Sequence, residues 1–272
     1  MKKKDILTPV GLLVGTGFIV FGILYGSSLE IAKGFINIPS LAITVGGSLA
    51  ATLITFPRDR IKNFGKVVGA TFKDIEFSAL DLMKQFTNLS RKARREGLLS
   101  LEDEVTNFGD DFLKKGMQMV VDGIEPDIIR GILEQEINEL ESRHEKNSSM
   151  IKTWGGYAPA FGMVGTLIGL IQMLADLSNM DGLAAGMSAA LVTTFYGAVL
   201  ANLLLNPLAA NLEYKTSVEV TIREMMLEGI LAIQSGVNPR IVEEKLISYL
   251  SAEERVEYVK IVANEAEVTE NV

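Results

Sequence analysis

Three hydroxyls, Thr166, Thr193 and Thr194, lie about halfway along two long stretches of chain that carry no ionisable side chain. Hydroxyl oxygens so placed can line a polar path for an ion, or they can bond back to the preceding turn of their own helix. No Asp, Glu, Lys, Arg or His accompanies them inside any charge-free stretch. Proton relays and charged-ligand sites in membranes usually need one, so if this chain moves ions, a partner must bring the carboxylate. Pro159 and Pro207 stand near the inner ends of the same two stretches. Each removes a backbone donor, freeing the carbonyls of Gly155 and Leu203, which must find other partners at membrane depth. The prolines read either as plain kinks or as two hinges at one depth. Elsewhere Arg91, Lys92, Arg94, Arg95 and Glu96 form a charged run, which reads as a solvated helix surface or as a surface for a partner.

The rest of the composition closes off other chemistry. There is no Cys, hence no disulfide framework, no thiolate zinc site and no thiol nucleophile. A single histidine, His144, removes multi-His metal sites and most serine-hydrolase triads; it reads as a solvated helix residue. A formal charge of −8 speaks against nucleic acid as the main partner. Gly15-Thr16-Gly17 lies inside an apolar run rather than between a strand and a helix, so it is not a nucleotide fingerprint. A membrane enzyme or self-sufficient transporter would show a polar catalytic cluster, an inverted repeat or an intramembrane acid. None is found, and the chain is read as neither an enzyme nor a cofactor protein.

The 272 residues are 48% apolar and 22% charged, with a mean hydropathy of +0.26, so charge and hydrophobicity are segregated along the chain. Four uncharged runs result: Ile6 to Leu29, Gly34 to Pro57, Thr153 to Ala175 and Gly182 to Leu212. Each is long enough to cross about 30 Å of hydrocarbon, which takes roughly 20 helical residues. Together they predict four transmembrane helices. Basic residues in the short flanks set the orientation: residues 2–4, then Arg58, Arg60 and Lys62, then Lys146 and Lys152, then Lys215. The other two connections carry Glu30 with Lys33 and Asp176 with Asp181. Both termini and the 58–152 segment are therefore expected in the cytoplasm, with Trp154 and Tyr157 at the inner interface and Tyr25 at the outer one. The Lys-rich start is read as the flank of a retained first helix rather than a cleaved signal peptide, because its apolar run is long and a second span follows at once.

Small residues recur within the spans: Gly11 and Gly15, Gly22 and Gly26, then Gly162, Gly165 and Gly169, then Gly186, Ala190, Gly197 and Ala201. They allow close packing within one subunit or between subunits. Outside the spans the pattern is helical. Val67, Val68, Phe72, Ile75, Leu80 and Met83 fall at helical spacing, and Glu125-Pro126-Asp127 opens a helix continued by Ile129, Leu133, Ile137 and Leu140. The fourth span runs on through Glu213 to Ile233, is stopped by Gly236-Val-Asn-Pro239, and is followed by a helix to about Leu250. The acid-rich last twenty residues are expected to be partly disordered. The fold class is all-α: a polytopic membrane protein with four transmembrane helices and a helical cytoplasmic domain.

Gly156-Tyr-Ala-Pro159-Ala-Phe-Gly-Met-Val-Gly-Thr166-Leu-Ile-Gly-Leu, followed by Thr193-Thr-Phe-Tyr-Gly-Ala-Val-Leu-Ala-Asn202 and Pro207, resembles the MotA/PomA family of flagellar stator subunits. Ala93-Arg-Arg-Glu-Gly-Leu-Leu-Ser-Leu-Glu102 and Gly236-Val-Asn-Pro239-Arg resemble that family's cytoplasmic patterns, and the likeness covers nearly the whole chain. The ExbB/TolQ energisers of envelope transport, the alternative, are less similar, having three spans and an outer N-terminus. The resemblance implies that five copies surround the single spans of two MotB-type chains, whose Asp carries the ion. Ion flow would turn the pentamer, and the pentamer would turn the rotor protein FliG through charged contacts, for motility and chemotaxis in a bacterial plasma membrane. By motif position it places the rotor contact at Arg94 and Glu102 with Arg95 beside them, conformational coupling at Pro159 and Pro207, and the ion path at Thr166, Thr193 and Thr194. The expected division is residues 1–57 as the first two spans, 58–152 as the rotor-facing helical domain, 153–212 as the ion-lining spans and 213–272 as a helical extension with an acidic tail. The transported ion is H+ or Na+. In the family a hydroxyl at the second Thr of the fourth span is typical of sodium-driven members, which places sodium ahead.

Overall fold

The computed structural model describes residues 5–25, 32–74, 78–175 and 177–270, and side chains as far as residue 261. The basic flank at residues 2–4, Gly26, Glu30, Ile75 and Asp176 lie outside the described residues. Every regular element among the described residues is a helix, and four are long and apolar enough to cross a membrane: Leu7–Leu24 (α1), Ile38–Thr55 (α2), Pro126–Ala175 (α8) and Met180–Gln234 (α9). The chain divides into two compact units, residues 1–75 with 143–215 and residues 76–142 with 216–272.

Along its spans the first unit turns many apolar side chains outward. No residue of α1 is buried, and Ile54 and Leu191 are largely exposed. The buried face of α2 is instead Ser40, Thr44, Ser48 and Thr52, four hydroxyls at intervals of four residues. Asn37 caps α2 by accepting from the Ser40 N–H at 3.0 Å, with Pro39 in the first turn. Within α2, residues Ala42–Gly46 form a π turn. Phe56 takes the extended backbone that a following proline imposes, and α2 ends there.

Two short helices, Arg58–Lys62 (α3) and Phe64–Ala70 (α4), follow. Their segment packs in the first unit: Val67 is buried with Ile151, Leu205, Leu208 and Ala209, under Phe64, Phe72 and Trp154. The unit boundaries therefore fall at 75, 142 and 215, some residues away from the ends of the charge-free runs. Apolar packing continues past the last uncharged residue, and charge counting does not register it.

The second unit has an ordinary apolar core. Ala79–Glu96 (α5), Asp111–Val121 (α7), the start of α8, the end of α9 and Pro239–Ile247 (α10) bury Phe86, Met117, Leu133, Ile230 and Val242 completely. A methyl added to Gly229 would stand 2.6 Å from the Phe86 ring, so α9 lies against α5 only because that position has no side chain. Gly236, at φ +63°, ends α9, and Asn238 caps α10 by accepting from Arg240 N–H at 3.1 Å.

The acidic tail follows α10. It forms a helix, Ala252–Glu270 (α11), opened by a reciprocal capping box in which Ser251 N–H donates to Glu254 Oε2 at 2.8 Å and Glu254 N–H to Ser251 Oγ at 3.3 Å. Tyr258 and Ile261 rest against the core cluster. These two contacts hold the first half of the helix against the core.

Candidate functional site

The hydroxyls meet because α8 and α9 touch backbone to backbone. A methyl at Gly169 would lie 2.5 Å from the Gly186 carbonyl oxygen, and one at Gly197 would lie 2.7 Å from the Ala158 carbonyl oxygen. Side chains at Gly162 or Gly165 would press on the Thr193–Thr194 backbone and the Thr193 side chain. The glycines of these two spans thus pack within one chain. Those of α1 differ: Gly15 meets only the Leu203 side chain, and Gly11 and Gly22 have open space beside them.

Across this contact Thr166 Oγ1 stands 2.5 Å from Thr194 Oγ1. It also lies within hydrogen-bond distance of its own helix at Gly162 O (3.1 Å) and of the facing helix at Ala190 O (3.2 Å). Thr166 is half-buried and Thr194 exposed, so the pair presents oxygen on an otherwise apolar outer face of the unit. Thr193 is placed differently. It is 1% exposed, and its hydroxyl bonds back to Ala189 O at 2.8 Å and Ala190 O at 2.9 Å. The structure therefore brings Thr166 and Thr194 together and points the Thr193 hydroxyl into its own helix. No group of three or more His, Asp or Glu capable of holding a metal occurs among the described residues.

Pro159 is half-buried inside α8, with its Cα only 3.1 Å from where a methyl on Gly197 would sit. Pro207 is exposed and follows a π turn, Leu200–Leu205, within α9. In that turn the Asn206 N–H donates back to Ala201 O, one residue further than in an α-helix. The wider register absorbs part of the disruption that a proline brings to a helix.

Sequence reasoning did not single out the hydroxyls of α2, although their four-residue spacing was a visible signal. Ser40 Oγ donates to Ala189 O at 3.3 Å and Thr44 Oγ1 to Thr193 O at 3.3 Å. Ser48 Oγ accepts from the Trp154 indole at 3.0 Å, and Thr52 bonds its own helix at Ser48 O. Tyr196 closes the other end, donating to Phe35 O and accepting from the Asn37 N–H.

At the charged edge of the unit, Lys215 Nζ donates to Asp5 Oδ2 at 2.8 Å and to the carbonyls of Thr71 and Lys73 at 2.6 and 2.8 Å. Asp5 also accepts from the Leu7 and Thr8 amides and the Thr8 hydroxyl. The Lys215 bond, with the Thr8 bonds, holds the Asp5 carboxyl well below the usual carboxylate range.

In the second unit the charged run separates into paired and unpaired members. Arg91 reaches Glu243 at 3.3 Å and Lys92 reaches Glu104 at 2.7 Å; the Glu104 bond raises the Lys92 pKa. Arg94 and Arg95, on the last turn of α5, are exposed, and neither forms an ion pair among the described residues. Gly97, at φ +88°, turns the chain into a 3-10 turn, Leu98–Leu101, whose Leu101 is fully buried. Glu102 then opens Glu102–Thr106 (α6), exposed and likewise unpaired among the described residues.

A sequence profile of the MotA/TolQ/ExbB proton channel family matches residues 104–225. Protein YtxD of Bacillus subtilis (strain 168), described as uncharacterized, is 43% identical over 254 residues, covering 93% of each chain. Motility protein A of Treponema pallidum (strain Nichols) is 39% identical over 253 residues, covering 93% of this chain and 96% of its own. Among solved structures, the flagellar MotAB stator complex from Bacillus subtilis superposes with a TM-score of 0.87 at 32% identity, over 93% of this chain and 99% of that one. With relatives of this similarity along nearly its full length, and four spans rather than three, the chain belongs to the MotA/PomA family within the MotA/TolQ/ExbB proton channel family.

Proposed function

We propose that the chain is the stator subunit of a bacterial flagellar motor, a multi-pass protein of the plasma membrane with both termini in the cytoplasm. One observation carries the ion-conducting part of this reading: the Thr166–Thr194 hydroxyl pair, 2.5 Å apart on the apolar outer face of two spans that contain no acid. Such a pair supplies oxygen ligands or a proton step but no charge, so the carboxylate comes from a MotB-type single-span partner. Five copies around two such partners give each pair access to an Asp. Sodium or a proton then crosses, Pro159 and Pro207 transmit the change in helix geometry, and the exposed Arg94, Arg95 and Glu102 engage FliG. The chain binds no cofactor and performs no covalent chemistry in this scheme.

The test is rescue of swimming. A bacterium lacking its stator genes, given this chain with its cognate partner, is expected to swim, and the pair to co-purify from membranes. Normal expression and co-purification without any swimming would overturn the stator assignment and leave the ExbB/TolQ type of role.

A further inference from the structure

We propose that Thr44, on the second span, is a positioning residue for the ion site, and this rests on the reading of Thr166 and Thr194 as ion-lining. Thr44 is completely buried. Its hydroxyl donates to the main-chain carbonyl of Thr193, 149 residues away, at 3.3 Å. That carbonyl belongs to the peptide unit joining Thr193 to Thr194, so the bond acts on the backbone that carries the exposed Thr194 hydroxyl. Two further observations give it direction. Thr44 lies in the π turn Ala42–Gly46, a geometry that inserts an extra residue into a helix turn and that recurs at functional sites. Gly162 of α8 also leaves room for the same carbonyl, since a methyl there would come within 3.1 Å of it. The Thr193 carbonyl thus meets both a hydroxyl from α2 and a bare glycine of α8.

The other hydroxyls of the row do different work. Ser40 bonds Ala189, more than a turn earlier on α9, Ser48 receives Trp154, and Thr52 bonds only its own helix. Among the described residues of the row, Thr44 alone reaches the peptide next to Thr194. A hydroxyl pair that strips water from an ion works only if its oxygens stay at ligand distance from each other and from the partner's carboxylate. Without the Thr44 bond, α9 can rotate or slide by tenths of an ångström at Thr194 while the spans remain packed. The expected consequence is weaker ion binding rather than loss of assembly.

The experiment compares Thr44→Val, which keeps the shape and loses the hydroxyl, with Thr44→Ser, Thr52→Val and Thr194→Ala, in stator-deleted cells supplied with the cognate partner. Swimming speed is titrated against external sodium at fixed pH and against pH at fixed sodium, and co-purification is measured for each variant. Thr44→Val is expected to raise the half-saturating ion concentration about three- to tenfold, the range a lost neutral hydrogen bond gives. Its co-purification should be normal, Thr44→Ser should restore most of the affinity, and Thr52→Val should leave it unmoved. A lower maximum speed with unchanged half-saturation, a Thr52→Val effect as large as that of Thr44→Val, or failure of Thr44→Val to assemble would each reduce Thr44 to a packing residue. If Thr194→Ala moves the ion dependence and Thr44→Val does not, only the positioning role falls. If neither moves it, the ion-lining reading falls with it.

Discussion

Thr193 and Thr194 are adjacent and of one type, yet their surroundings differ sharply. The Thr193 hydroxyl is buried and bonded to Ala189 and Ala190, whose carbonyls remain helical acceptors without it. Thr194 holds its oxygen beside Thr166 on the exposed face. Thr194→Ala is therefore expected to impair motility clearly more than Thr193→Ala. The latter loses a back-bond whose net worth is about 1 kcal/mol or less. Swimming speed at equal expression checks the order, and equal impairment would place both hydroxyls in packing. A similar division runs through the charged surface. Arg91 and Lys92 are taken up by Glu243 and Glu104, whereas Arg94 and Arg95 are exposed and form no ion pair among the described residues. Rim charges steer and register a contact, each contributing roughly 0.2–1 kcal/mol when exposed. Arg94→Glu should reduce torque only in part, and reversal of an opposing rotor charge should recover some of it. Loss that no rotor variant relieves would confine Arg94 to supporting the turn at Gly97.

Helices here are set by where backbone meets backbone and by where a donor is missing. At Pro159, α8 has lost an N–H at the level where Gly197 brings α9 into contact. Pro159→Leu restores the donor and straightens the helix. Complexes with the partner should still form, while torque or ion flux falls several-fold. Failure to co-purify would make Pro159 a folding determinant instead. At the N-terminal end of α1, an ion pair ties the chain to α9 through Asp5 and Lys215. Asp5, 12% exposed beside Lys215 at 15%, has its pKa lowered on folding. Its contribution is therefore complete above its unfolded value, about 3.9, and is lost as pH falls through the lower folded value. In detergent, Asp5→Asn should lower the melting temperature by several degrees at neutral pH and show a flatter acid limb. The two curves should converge in strong acid, and parallel curves down to about pH 3 would remove Asp5 from the acid response.

For the whole molecule, the reach of the sequence follows the range of the forces involved. Hydrocarbon imposes one rule on every residue of a span, so the four crossings were legible as charge-free runs, and the glycines of α8 and α9 as close-packing positions. Pairings between distant residues leave no such trace: Thr44 with Thr193, Trp154 with Ser48, and Lys215 with Asp5, 210 positions apart. The π turns at Ala42–Gly46 and Leu200–Leu205 were not anticipated either. Ion choice is a property of the assembled complex at this same scale. Sodium must exchange water for several oxygens at once, whereas a proton needs a carboxylate and a chain of waters or hydroxyls. Thr166 and Thr194 offer two hydroxyl oxygens side by side, and Ala190 O, already within reach of Thr166, adds a carbonyl. Clustered oxygens beside a carboxylate favour a coordinated cation over a single-file proton step, so sodium is the expected ion. At fixed pH and membrane potential, swimming speed should rise with external sodium and saturate, and a protonophore should have little effect while the sodium gradient persists. Thr194→Ala should shift that saturation to higher sodium by about tenfold, the equivalent of one lost ligand contact near 1.4 kcal/mol. Speed that is flat in sodium and collapses with the protonophore would assign the same hydroxyl pair to a proton path.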